Sequence, residues 1–163
     1  MIFDGRGLLA PAKVVSLSIA EFEEHFVQVF PDSGTRQTIF ASYRRFIEEF
    51  TKQVCAECTH WIDGSFVTDK LNPNDLDVVV LIPDACYDVH QSLIESNFRL
   101  GGAKQLFPGL DVYTVRCYEA ESSKHYITEY DLAYWYDWFT QTRPNRFGKR
   151  YKKGFVEVVY KPE

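Results

Sequence analysis

No apolar run in this sequence approaches the ~20 residues needed to cross a bilayer, and the first stretch, MIFDGRGLLAPAKVVS, lacks a charged segment leading into a long apolar one. A cytoplasmic protein is therefore expected. Cysteine is scarce: Cys55, Cys58, Cys86 and Cys117 are too few and too scattered for a disulfide framework, so reduced thiols are the default. Proline is limited to seven residues, and no internal repeat is present, which excludes a solenoid and gives no compositional case for disorder.

What the sequence does have is apolar and aromatic mass. Of its 163 residues, 45% are hydrophobic and 16% aromatic. Residues 1–163 are read as one globular domain, large enough to bury roughly two thirds of the surface its unfolded chain exposes. The aromatic content leaves room for an apolar interface between copies. The net charge of −5 conceals an asymmetry, because Arg143 to Lys153, RPNRFGKRYKK, carries six basic residues and no acid. That segment can attract phosphates despite the acidic total.

Ser18 followed by Glu21 is a capping-box pattern, and Phe22, Phe26 and Val29 recur at helical spacing, predicting a helix over 18–30. Ile39, Tyr43, Phe46, Ile47, Phe50 and Val54 trace a second helical stripe between Gly34 and Cys58. A short strand is predicted from Thr59 to Gly64, and a turn at Asn72-Pro73-Asn74 precedes an apolar run, Leu76 to Ile82, suited to a strand covered on both faces. Pro83 and Asp84 open a helix ending near Phe98, with Gly101-Gly102 as its breaker. Strands at Leu110–Tyr118 and Phe155–Tyr160 flank a helix at Lys124–Thr140. The resulting fold class is α+β, close to α/β: a mixed β-sheet with helices packed on it.

The chemistry concentrates in WIDGSFVTDKLNPNDLDVVVLI, residues 61–82. Asp75 and Asp77 flank one residue, so in an extended strand both carboxylates point to one face, where they can share divalent cations. Asp111 opens a neighbouring predicted strand and offers a third acid. Gly64 has no side chain, so a phosphate can approach the backbone N–H groups and the Ser65 hydroxyl. Two divalent ions held by hard oxygens would neutralise charge in phosphoryl or nucleotidyl transfer.

Gly64-Ser65, a nine-residue spacer and Asp75-Leu76-Asp77 resemble the signature of the DNA polymerase β nucleotidyltransferase superfamily. The likeness continues through LDVYTV and KKGFVEVVY, covers most of residues 60–160, and is nearest to small single-domain bacterial members. It implies a nucleotidyltransferase fold and a two-metal enzyme that releases pyrophosphate. Asp75, Asp77 and Asp111 would hold two Mg²⁺ or Mn²⁺ ions, and Gly64 and Ser65 would contact the triphosphate. No appended helical domain is available to clamp base or acceptor. Minimal size and a tyrosine near the C-terminus also resemble the nucleotidyltransferase of the Hailong anti-phage system. That likeness implies template-free polymerisation of dATP into short single-stranded DNA oligomers that act on a membrane effector in antiviral defence, primed by a C-terminal tyrosine: Tyr160, with Tyr151 second. Within the same superfamily, transfer of AMP to a partner toxin is the enzyme alternative, and a catalytically inactive nucleotide- or partner-binding module is the non-enzyme one.

Each feature also has a plainer reading. Asp-x-Asp after Pro73 suits an Asx turn, and Asp111 after Pro108-Gly109 suits a turn end. Lys70 and Lys153 are read as phosphate contacts, with Arg146, Lys149 and Arg150 as further candidates, or else as a solvated loop. Cys55-x-x-Cys58 with His60 has no second ligand pair at zinc-finger spacing, so zinc is set aside. Tyr126, Tyr130 and Tyr134, with Trp135, Trp138 and Phe139, have the spacing to stack on bases but also that of a helix packed on a sheet, and packing is the expectation taken.

Overall fold

The computed structural model describes residues 2–161. The chain starts with two short paired strands, β1 (Ile2–Phe3) and β2 (Leu9–Ala10), then β3 (Val14–Leu17). Helix α1 (Ile19–Glu23) begins at the expected capping box: the Ser18 hydroxyl accepts the Glu21 N–H, and the Glu21 carboxylate accepts the Ser18 N–H at 2.8 Å. A π-helical turn, Glu24–Gln28, prolongs it, and α2 (Arg36–Gln53) follows. Next come β4 (Cys58–Asp63), a 3₁₀ turn at Ser65–Val67, and β5 (Leu76–Pro83). The chain ends with α3 (Asp84–Asn97), α4 (Leu100–Leu106), β6 (Leu110–Cys117), α5 (His125–Phe139) and β7 (Phe155–Tyr160).

The main sheet runs β3-β7-β4-β5-β6. β4 lies antiparallel to both β7 and β5, while the outer pairs β3/β7 and β5/β6 are parallel. This is an α+β architecture with a mixed, open sheet. The parallel β5/β6 pair needs a crossover, which α3 and α4 provide.

Alternation along each strand divides the sheet into two unlike faces. Ile62, Val78, Val80, Ile82, Val112 and Val156 join the larger core, which α1, α2, α3 and α4 cover with Phe22, Phe46, Phe50, Ile94, Phe98 and Phe107. The opposite face carries a smaller cluster, in which Trp61, Val79, Val115 and Phe155 meet Phe139 of α5. Among the described residues α5 alone packs on this face, the sheet's end is left open beyond it, and the site forms there.

Two sequence expectations need correction. Gly101 and Gly102 do not break a helix; they lie inside α4, and the chain turns earlier, at the extended Arg99. Glycine is required at 102 because a Cβ there would sit 1.8 Å from the Ser96 carbonyl oxygen, where α3 and α4 meet. Nor do the α5 tyrosines pack on the sheet. Thr128, Leu132, Trp135 and Phe139 do so, leaving Tyr126, Tyr130 and Tyr134 66%, 73% and 53% exposed. Among the described residues no helix is long and apolar enough to cross a membrane.

Candidate functional site

Strand register builds the site. Asp63 of β4 stands opposite Asp77 of β5, and Asp77 stands opposite Asp111 of β6. Three carboxylates therefore line up across three adjacent strands on the α5 side. Asp75 precedes β5 by one residue and follows the same alternation, so four acids gather at one end of the sheet. Sequence reasoning found Asp75, Asp77 and Asp111 and missed Asp63. Its signal was present, an acid immediately before Gly64 and two residues after Trp61, but its neighbours depend on a register that no local pattern reveals.

Crowding of like charge has measurable consequences. Burial, and then the fields of Asp63, Asp75 and Asp111, lift Asp77 to about 6, with Arg143 opposing. Burial also lifts Asp63 to about 6, although Lys153 offsets part of that cost through a direct ion pair. Lys104 holds the Asp111 carboxylate at 2.7 Å. The outer carboxylates of the row thus each have an ammonium, whereas Asp75 and Asp77 make no ion pair among the described residues and face a cavity of about 560 Å³.

Gly64 occupies the left-handed region at φ +84°, and a Cβ on it would lie 2.2 Å from Oδ2 of Asp77. Only glycine brings this turn so close to the carboxylate. Ser65, Lys70, Arg143 and Arg150 complete a polar wall, while Tyr113, Tyr134, Trp135 and Trp138 form an aromatic one. The loop after Gly64-Ser65 is held by a residue that sequence reading passed over. Arg36, fully buried at the start of α2, donates to the carbonyls of Phe26 and Phe66 at 2.6 and 2.7 Å, and of Thr68 and Lys70 at 2.9 and 2.6 Å. Its guanidinium also lies over the rings of Phe30 and Phe66, and burial lowers it to about 10. On the other side of the loop, the Thr35 hydroxyl donates to the Pro73 carbonyl at 2.7 Å and Asn72 Oδ1 accepts the Gly34 N–H at 2.7 Å. Helix α2 thus anchors both ends of the segment between the Gly-Ser step and the aspartates.

The structure brings Gly64, Ser65, Lys70, Asp75, Asp77 and Lys153 to one cavity. Asp111 neighbours Asp77 in the sheet but does not line the cavity. Lys153, read as a phosphate contact, instead gives its ammonium to Asp63 and is buried. Tyr160 is not brought to the acids: it pairs with Cys58 at the far end of β7 and packs against the larger core on the opposite face. Tyr151 lies under the Arg6 guanidinium. Cys55 meets Cys86, at 2.6 Å between sulfurs, rather than forming a pair with Cys58, and His60 hydrogen-bonds the Tyr43 hydroxyl through Nδ1 at 2.9 Å. The zinc reading has no geometry behind it.

Among the described residues, no group of three or more His, Cys, Asp or Glu side chains is gathered closely enough to enclose a metal ion. The donor chemistry nevertheless fits a divalent cation. The acids offer hard oxygens, and burial and like-charge repulsion, which together lift Asp77, are a cost that such an ion relieves.

Comparison with curated proteins and with solved structures finds no match to this chain. A family model does match, over residues 1–159, and its description is "Family of unknown function (DUF6932)". The match takes in both sides of the cavity, from the N-terminal strands to the last strand of the sheet, and the chain belongs to that family.

Proposed function

We propose that this protein is a divalent-metal-dependent nucleotidyltransferase with a minimal fold of the DNA polymerase β type. One observation carries the reading: Asp63, Asp77 and Asp111 stand in register across three strands, with Asp75 beside them, and Gly64-Ser65 turns against Asp77 at the mouth of the cavity.

Asp75 and Asp77 would hold Mg²⁺ or Mn²⁺, with Asp111 as the third acid. Such ions, when bound, neutralise charge on the reacting phosphate and acidify the attacking hydroxyl. The chain's own groups do the rest. The backbone at Gly64 and the Ser65 hydroxyl receive the triphosphate, and Lys70, Arg143 and Arg150 neutralise its outer oxygens. Lys153 keeps Asp63 charged and fixed beside Asp77. Asp111, held by Lys104, accepts the proton of the incoming hydroxyl. An oxygen–phosphorus bond forms at the α-phosphorus, the bond to the bridging oxygen breaks, and pyrophosphate leaves.

The substrate in this reading is dATP and the product a short single-stranded DNA oligomer. With Tyr160 at the far end of β7, the acceptor hydroxyl belongs to another molecule: the 3′ end of a growing strand, or Tyr160 of a second copy. The test is incubation of purified protein with each α-³²P-labelled NTP and dNTP plus Mg²⁺ or Mn²⁺, resolved on nucleic-acid and protein gels. A template-free ladder from dATP, abolished in Asp75→Asn and Asp77→Asn, is expected. Label on a protein band alone would replace polymerisation with protein modification. No transfer from any triphosphate, or transfer that survives both substitutions, would overturn the enzyme reading.

A further inference from the structure

Helix α5 carries an exposed aromatic series that the sheet does not use. Tyr126, Tyr130, Tyr134 and Trp138 recur every four residues, each step advancing about 6 Å along the helix axis. All four are exposed, Trp138 least at 39%. The series turns slowly around the helix and ends inside the cavity, where Tyr134 and Trp138 form part of the wall. Their planes lie within 9° of parallel, with centroids 6.5 Å apart.

The segment that follows α5 has complementary chemistry. Arg143, Arg146, Lys149, Arg150 and Lys152 are exposed, and no acid lies between Arg143 and Lys153. Arg150 sits over the Trp138 ring at 5.5 Å, and Arg143 and Arg150 both line the cavity. Phe147, 77% exposed, adds another ring among these cations. The inner end of the series meets the acid-free basic loop through Trp138 and Arg150, while α5 itself carries Glu129, Asp131 and Asp137 among its rings; rings that stack bases, joined to a loop whose cations meet phosphates, are what single-stranded nucleic acid binding uses.

We propose that the outer face of α5 and the Arg143–Lys152 loop form a track for single-stranded nucleic acid. The strand lies along Tyr126, Tyr130 and Tyr134, and its end enters the cavity at Trp138. Each ring takes one base of an extended strand, because the step between rings is close to the reach of one unstacked nucleotide. A duplex keeps its bases stacked on each other and cannot offer their faces to the helix. The direction of travel rests on the nucleotidyl-transfer reading; the binding itself does not.

The probe is fluorescein-labelled oligodeoxyadenylate of two to twelve nucleotides, followed by fluorescence anisotropy in EDTA without nucleotide. Affinity is expected to rise with length up to about four or five nucleotides, one per ring, and then to flatten. It should fall as salt rises from 50 to 200 mM, and a duplex of twelve base pairs should bind at least tenfold more weakly. Tyr126→Ser with Tyr130→Ser should weaken the twelve-mer at least tenfold while leaving the circular dichroism and melting temperature unchanged, since both side chains are exposed. Equal affinity of wild type and double variant, equal affinity for single strand and duplex, or a wild-type dimer that the double variant dissociates would overturn the track. Wild type that binds the strand by these criteria but transfers no nucleotide sinks the catalytic reading alone.

Discussion

The α2-side face of the sheet and its α5-side face are built from the same strands, yet they respond to acid in opposite ways. On the α2 side the polar ring of His60, enclosed by Tyr43, Phe46 and Phe50, is driven by burial down to about 3 and stays neutral. On the α5 side, Asp63 and Asp77 are lifted to about 6 by burial, and Asp77 further by its neighbours. The signs follow from linkage. Acid charges His60 in the unfolded chain before the folded one, so its contribution to stability is lost as pH falls from 6.5 toward 3. Acid protonates the two aspartates in the folded chain first, so their cost to stability is relieved as pH falls from about 6 toward 3.8. The difference teaches that burial alone acts on the α2 side, whereas on the α5 side crowding of carboxylates adds to burial at a cost that a bound cation or proton lowers.

The largest expected break of this contrast is in the stable face. Phe46→Ala removes a ring packed on Phe50, Phe98 and Phe107, and should cost about 3–5 kcal/mol in urea unfolding, with activity per folded molecule unchanged. A loss below about 1 kcal/mol would show that this side repacks freely. On the other face, Asp77→Asn should lower nucleotidyl transfer by at least a hundredfold, roughly 2.7 kcal/mol, while the melting temperature holds or rises because like-charge repulsion is removed. A fall in melting temperature with intact transfer would reverse the assignment of the two faces.

Acid sharpens the comparison at the next scale. Between pH 6.5 and pH 5, wild type should lose about 2 kcal/mol of stability relative to His60→Gln, measured as the change in their difference by denaturant titration. A pH-independent difference would mean that His60 accepts protons in place. The smallest effect expected is at the turn. Gly64→Ala introduces a Cβ at φ +84° and should cost about 1 kcal/mol of stability. It should also displace the Asp77 carboxylate, with transfer falling further than stability accounts for. Rates unchanged from wild type would separate Gly64 from the site.

Much of the α2-side face was legible in the sequence. The stripe from Ile39 to Phe50, the apolar run of β5 and the capping box at Ser18 are local patterns that report local structure, and the structure has each of them. The short β3 was not legible, because four residues, three half-buried and one exposed, carry no clear alternation. On the site side, the Gly64–Asp77 segment announced itself through spacing. Asp63 did not, because its neighbours are set by the β4/β5 register, and neither did Arg36, because nothing near it in sequence shows that its guanidinium reaches four carbonyls across the fold. The α5 tyrosines were read inward because their spacing fits a buried stripe, but the neighbouring Thr128, Leu132, Trp135 and Phe139 form a competing stripe, and packing chose that one.

By itself the sequence determined the main helices and central strands, the apolar stripe of α2 and the two aspartates that flank Leu76, since hydrophobic period and side-chain chemistry act over a few residues. Only the tertiary structure decided which acids stand together, which lysine neutralises which carboxylate and which aromatics meet solvent. Those outcomes depend on strand register and helix rotation, which are settled when distant segments compete to bury the most apolar surface at the least cost in unpaired charge.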